Sequence, residues 1–517
     1  MLGRRRDRAD DRADSRADGR ADGRAGGAGK PPARRPPRLV APRRGWAGAG
    51  AGRAAGIDAG AVYLGTTSQV AGLYPWVLGA CLPPEGVPLG PDLLTNELVC
   101  IDPAGWVGRL VHNPGVWIMA QPGSGKSAIT KRVCLAYAAY GARVLVPGDV
   151  KGEYARLVDA LGGQVVRVGR GLDRINPLDS GPLRRRLTGL PAARQATLTA
   201  EITGRRADLL QALLATAHGL GRRPSASEAN VVNHVVGLVA ERLEDDPVIP
   251  DVVTALREGP QDLWARLLVD TVEEFRDLVR EVVLALENLC SGPLAGLFDG
   301  ATTSPLDLDA PALSVDLSGL LTAGDQVVAA GMLSTWAFAY TAVDSARALG
   351  MMTDQLVLPL DEMWRALRAG PGMVDAMDAM TRLNRAKSEV SLMVTHSLRD
   401  TEALPTPEDR AKALGLMERC DTLILGALSA GELDRVAEQK PLTSAERELV
   451  ASWASPTVTG VDGTSQRHPG RGKYLIKIGA RAGTPVRLDL TPTELDLYNT
   501  DPARRATQPL SAGRGRR

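Results

Sequence analysis

The run Gly115-Val-Trp-Ile-Met-Ala-Gln-Pro-Gly-Ser-Gly-Lys-Ser127 constrains this chain more than any other stretch of it. An apolar strand feeds a Gly-rich loop ending in Gly125-Lys126-Ser127, and a helical stretch follows from Ala128 to Tyr140. Strand, loop and helix in that order are the setting of a phosphate-binding P-loop. Gly123 and Gly125 let backbone N–H groups turn inward around phosphate oxygens, and the helix adds its positive N-terminal end. Lys126 supplies a charge for the β- and γ-phosphates of ATP, and the Ser127 hydroxyl is placed to hold Mg²⁺. The expected nucleotide contacts are Gln121, Pro122, Gly123, Ser124, Gly125, Lys126, Ser127 and Ala128. One position departs from G-x-x-x-x-G-K-[ST]: its opening Gly is Ala120, whose Cβ restricts the turn into the loop.

Hydrolysis needs carboxylates as well. Gln355-Leu-Val-Leu-Pro-Leu-Asp361-Glu362 is an apolar run ending in two acids. In P-loop ATPases the Asp at such a strand end orders the Mg²⁺ shell and the next Glu polarises the attacking water. Two acids in the first turn of a helix would look the same in sequence. An apolar strand in a chain that already carries Lys126 favours the catalytic reading. Pro359 cannot donate to a central ladder, so a bulge is expected there. A further strand, Val390-Ser-Leu-Met-Val-Thr395, ends in His396-Ser397. A histidine there is either a surface-loop residue or a polar group that reads the γ-phosphate, and the strand context favours the second.

The chain has 517 residues, enough for a large α/β core and a subdomain. Its formal net charge of +2 gives no global signature of nucleic-acid binding. The five cysteines are scattered with no C-x-x-C spacing, which excludes a zinc site or a disulfide framework and fits a reducing cytoplasm. The Arg/Asp-rich N-terminus lacks the apolar region of a signal peptide. Gln326 to Val343 is uncharged but Ala-rich and mixed with polar residues; it reads as a helix buried against a sheet and not as an integral membrane segment.

Residues 1–55 are low in complexity, with tandem tetrads such as Asp7-Arg-Ala-Asp10, and are expected to be a disordered tail. Residues 56–180 alternate strand and helix around the P-loop, with strands at Ala61–Gly65, Glu97–Ile101, Arg143–Pro147 and Gln164–Val168. Residues 181–295 read as an all-α insertion, with amphipathic helices over Ala192–His218, Ser225–Glu244 and Val272–Leu289. Residues 296–498 resume the sheet at Ala312–Leu317, the Asp361 strand, Val390–Thr395 and Asp421–Leu425, then a hairpin of Lys473–Ile478 and Pro485–Leu490. Residues 499–517 are a basic tail expected to be disordered. The fold class is α/β: a central, mostly parallel sheet with helices on both faces and an inserted all-α subdomain.

With these pieces in place the chain resembles the HerA/FtsK superfamily of hexameric pumps, most of all its conjugation and type IV secretion ATPases, the TraC-like branch. The likeness rests on the P-loop, then Gly148-Asp-Val-Lys-Gly-Glu-Tyr154, Ile175-Asn-Pro-Leu-Asp179, Gly296-Leu-Phe-Asp-Gly300, Asp361-Glu-Met-Trp364 and Thr395-His-Ser-Leu-Arg-Asp400. Segments at Tyr74-Pro-Trp76, Gly86–Gly90 and Arg471–Lys477 are similar to actinobacterial members known as ATP/GTP-binding proteins. The resemblance covers roughly Ala61 to Leu497. It implies a RecA-like P-loop NTPase in which the His396 strand lies between the P-loop strand and the Asp-Glu strand. The family has Gln where this chain has His396. It also implies a homo-oligomeric ring, a hexamer, with ATP between subunits and an arginine acting across the interface; Arg382 and Arg385 stand where the family keeps one. Larger members carry an N-terminal domain that docks on the channel. About 60 residues, from Ala61, precede the P-loop here, so a separate partner is expected to supply docking.

The implied function is an ATP-hydrolysing motor powering DNA or protein transfer, or channel assembly, with membrane channel components as partners and DNA as a possible cargo. Its place is the cytoplasm, peripheral at the inner face of the membrane. Two other readings stay open: a nucleotide-gated scaffold with little turnover, and a cytosolic FtsK-type DNA translocase.

Overall fold

The P-loop strand, β3 (Val116–Met119), is buried along its whole length. A strand buried on both faces belongs in the middle of a parallel sheet. Its side chains alternate as a strand requires. Val116 and Ile118 enter one apolar core, and Trp117 and Met119 enter another on the opposite face. The computed structural model describes residues 82–181, 189–367, 374, 389–402, 404, 406–455 and 468–499. The tail repeats, Ala61–Gly65, Tyr74–Trp76, Arg382, Arg385 and residues from 500 onward lie outside these.

The sheet has nine strands in the order β11-β10-β9-β3-β8-β7-β4-β6-β5. From β9 (Thr422–Leu425) across to β5 (Gln164–Arg167) the described pairs are parallel. At the other edge β10 (Lys473–Ile478) runs antiparallel to β9 and forms a hairpin with β11 (Thr484–Arg487). β8 (Glu389–Thr395) lies between β3 and β7 (Leu356–Leu360), the inserted position that the resemblance implied. Met119 pairs with Thr395, and Leu360 pairs with Met393. The residues after these three strands therefore emerge side by side, at the carboxyl edge where open α/β sheets bind ligands.

Pro359 sits at no bulge. The ladder from β7 to β8 runs through it without a shift, pairing it with Leu392. Its missing N–H is tolerated because β4 (Arg143–Asp149) pairs with β7 only at Arg143–Leu356 and Val144–Val357, so no β4 residue is paired with Pro359.

On one face of the sheet pack α1 (Lys126–Ala139) and α2 (Ala155–Ala160). Helix α1 starts two residues earlier than the sequence predicts. Between β5 and β6 (Ala312–Asp316) the described residues form five α-helices: α3 (Ala192–Leu214), α4 (Ala226–Arg242), α5 (Ile249–Glu258), α6 (Gln261–Leu267) and α7 (Val272–Leu289). Ser225 caps α4 in a capping box with Glu228, and Thr271 caps α7. Helix α8 (Asp325–Ala348) is long and apolar enough to cross a membrane, yet most of it is buried in the protein, with Trp336 beside Gly148 of β4. The Ile175–Asp179 motif ties the helical stretch to the sheet: the Asn176 amide donates to Pro247 O at 3.0 Å, and Asp179 accepts from Thr302 at 2.6 Å.

Candidate active site

The loop after β3 turns on two glycines with left-handed backbones, Gly123 (φ +80°) and Gly125 (φ +109°). A Cβ on Gly125 would also strike the Tyr474 hydroxyl at 2.5 Å. That hydroxyl donates to Gly125 O at 2.7 Å, and Gly472 N donates to Ser124 O at 3.0 Å. The first strand of the C-terminal hairpin thus holds the P-loop from beneath. Ala120 is unstrained, with no left-handed backbone. Its methyl fits because Gly426, just beyond β9, leaves room: a Cβ there would lie 2.6 Å from it.

Lys126 is 7 % exposed and curls back under its own loop, donating to Ala120 O at 2.6 Å and Gln121 O at 3.2 Å. Burial lowers its pKa to about 8, against the pull of Asp361 and Glu362. Ser127 is the second residue of α1, and its hydroxyl lies 3.5 Å from an Asp361 carboxylate oxygen. The Tyr154 hydroxyl approaches the same oxygen at 3.3 Å. Burial, with Glu153 and Glu362 nearby, raises the pKa of Asp361.

Glu362 is 4 % exposed and has φ +54°, the left-handed region that a residue with a Cβ rarely adopts. Both of its oxygens are engaged. Lys151 and His396 Nε2 face Oε1, the latter at 3.2 Å, and the Trp364 indole donates to Oε2 at 2.8 Å. Burial opposes ionisation, but the bonds from His396 and Lys151 outweigh it and hold the carboxyl at about 2. His396 Nδ1 is buried without a hydrogen-bond partner among the described residues.

The structure brings Lys126, Ser127, Asp361, Glu362 and His396 into one cleft of about 1000 Å³. The sequence reading missed Lys151, Tyr154, Tyr474 and Arg471. All four stood in quoted motifs, but no role was attached to them. Lys151 and Tyr154 follow β4, where Asp149 accepts the N–H groups of Glu153 at 3.0 Å and Tyr154 at 2.7 Å and so shapes the turn. Arg471 lines the cleft from the hairpin side.

A nucleotide fits this donor set. The loop has a free concave side at Gly123, where an added Cβ would meet nothing, and a lysine whose only loop contacts are carbonyls that phosphate oxygens can replace. Ser127 and Asp361 are the residues that would hold Mg²⁺, which neutralises phosphate charge when bound. Among the described residues no cluster of three His, Cys, Asp or Glu side chains is arranged to hold a metal alone.

No family model matches the sequence, and no curated protein matches it. VirB4 of Thermoanaerobacter pseudethanolicus matches the structure with a TM-score of 0.61 at 19 % identity, over 81 % of this chain and 100 % of that one. The chain has the VirB4 fold. A RecA-like core with a mostly parallel central sheet, expected from the motifs, is therefore the architecture present. The bacterial conjugative coupling protein TrwB is less similar: TM-score 0.44 with sulphate and 0.43 with ADP and Mg²⁺, at 11 % and 12 % identity, each over 73 % of this chain and 86 % of that one.

Proposed function

We propose that this chain is an ATP-hydrolysing motor of a conjugation or type IV secretion-like system, powering DNA or protein transfer or channel assembly. One observation carries the reading: Lys126 and Ser127 after β3, Asp361 and Glu362 after β7 and His396 after β8 share one cleft. In this assignment the loop N–H groups and Lys126 bind phosphates, Ser127 and Asp361 hold Mg²⁺, and Glu362 takes the proton of the attacking water. Lys151 carries charge to the γ-phosphate, and His396 reads it as a polar group. The motor works as a ring, a hexamer with an arginine (Arg385 or Arg382) reaching the neighbouring site, and it docks from the cytoplasm on membrane channel components. The VirB4 fold and the motif set support this assignment.

A second reading, a nucleotide-gated scaffold with little turnover, has one observation in its favour. Glu362 accepts from three side chains across both oxygens, and Lys151 and His396 on Oε1 compete with water for the carboxylate.

The deciding experiment is steady-state phosphate release by the purified protein, with and without DNA, alongside its native mass. Lys126→Ala should abolish turnover, since losing one preorganised phosphate contact costs about 3–4 kcal/mol of transition-state stabilisation. Wild-type turnover in that variant would overturn the assignment. Nucleotide binding without measurable turnover, with or without DNA, would select the scaffold.

A further inference from the structure

We infer that the chain's own C-terminal segment, from Leu488 to Asn499, is the base-binding end of the cleft and that it takes a purine by its face. The inference rests on the nucleotide reading above and deepens it.

The cleft extends past the phosphate loop and the catalytic residues. At one end Asp361, Glu362, Lys151 and His396 mark where the γ-phosphate would react. The base must leave from the opposite side of the loop, past Ala128. The lining there changes character, to Leu488, Leu490, Leu495, Tyr498 and Asn499. Ala128, Leu490 and Tyr498 also pack against one apolar core, the one containing Ile129 of α1. Leu495 is 55 % exposed, an apolar side chain left in water at the cleft edge. An uncovered leucine beside a tyrosine ring suits a flat apolar partner.

This shelf is fixed to the phosphate-binding machinery. Helix α14 (Pro492–Tyr498) carries Leu495 and Tyr498 and is capped by Thr491, with Glu494 completing the capping box. Arg132, in the second turn of the P-loop helix α1, grips Glu494 along one edge of its guanidinium, Nε to Oε1 and Nη2 to Oε2 at 2.6 Å, and its Nη1 donates to Pro88 O at 2.7 Å. Arg156 of α2 holds Asp496 at 3.1 Å. The Tyr498 hydroxyl is turned away to Glu494 at 3.2 Å, which sets the ring. Asp489 stands between Leu488 and Leu490 in the lining, and Leu490, Leu495 and Tyr498 supply the apolar area. Contact through the face grows with the area covered, so a two-ring base gains more here than a one-ring base.

The test compares ATP, CTP and inorganic tripolyphosphate as competitors of a fluorescent ADP analogue on the full chain. ATP should bind more tightly than CTP or tripolyphosphate. Leu495→Ser and Tyr498→Ala should each weaken ATP about tenfold, the scale of one lost apolar contact, while leaving tripolyphosphate unchanged. Tyr498→Phe keeps the ring and should keep the affinity. If Tyr498→Ala melts early, Leu495→Ser decides, because its side chain is already exposed. Unchanged ATP affinity in Leu495→Ser, with binding lost in Lys126→Ala, would place the base elsewhere and overturn the inference alone. Unchanged ATP binding in Lys126→Ala would remove the nucleotide reading beneath it.

Discussion

Glu362 sits in a backbone conformation that costs a side-chain-bearing residue about 1–3 kcal/mol and persists only where its surroundings impose it. Here those surroundings are Lys151, His396 and Trp364, which between them engage both carboxylate oxygens. Glu362→Gln keeps the shape and two of the contacts but cannot accept a proton. It should bind ATP normally and turn over at least ~10²-fold more slowly, read by single-turnover hydrolysis beside equilibrium binding. Normal hydrolysis in both Glu362→Gln and Asp361→Asn would make the acidic pair structural. Lys151→Ala separates two roles for the lysine. As a phosphate-facing cation its loss lowers turnover; as a brake on Glu362 its loss raises turnover, and the assignment here expects a fall. Lys126, Ser127, Asp361 and Glu362 were legible in the sequence because each lies in a short run whose local spacing carries its chemistry. Lys151 was not, because its partner is 211 residues away in the chain and only the β4–β7–β8 arrangement brings them together.

Strands that alternate or run apolar between turn residues were readable, and so were helices with a cap: β3, β8 and the β10–β11 hairpin fall where the pattern puts them, and α7 spans Val272–Leu289 as expected. Two short helices, α5 and α6, escaped although Ile249, Val252, Val253 and Leu256 mark an apolar face on α5, because Gly259-Pro260 between them breaks the period and leaves each only a few turns long. Pro359 misled for a different reason: whether a proline disturbs a strand depends on where its neighbour stops pairing, and β4 stops two residues before it. Ala120 is a similar case. In sequence it departs from the loop pattern; in the sheet, Gly426 at the end of β9 yields the space. The two positions should therefore be coupled. Gly426→Ala forces two methyl groups together and should cost about 1–3 kcal/mol of stability. Adding Ala120→Gly should recover most of that, measured as a double-mutant cycle in denaturant. Simple additivity of the two changes would show that the loop relaxes elsewhere.

In the proposed ring a neighbouring subunit completes the cleft, and that proposal belongs to the whole molecule. Among the described residues, Lys126 and Lys151 are the lysines facing the reacting phosphate, both already paired, and Arg471 lines the hairpin side of the cleft. An arginine from the next subunit is the remaining contribution that the family resemblance implies, and such a group is worth roughly 10³-fold or more in rate. Arg385→Ala, or Arg382→Ala if the other residue acts, should lower turnover by about that factor while the subunit stays folded, judged by its melting curve. Mixing identifies the geometry. Arg385→Ala protein retains Glu362, and Glu362→Gln protein retains the arginine, so neither ring alone hydrolyses ATP. In a mixed ring some interfaces place an intact arginine against an intact glutamate, and turnover should reappear, rising to a maximum near equal proportions. Subunit exchange is checked first with two differently tagged wild-type preparations. If exchange is complete and no ratio restores turnover, arginine and glutamate act within one subunit or every site must be intact for any to fire. Unchanged turnover in both arginine variants would instead remove the shared site, and a ring would then have to owe its cooperation to the packing of its subunits alone.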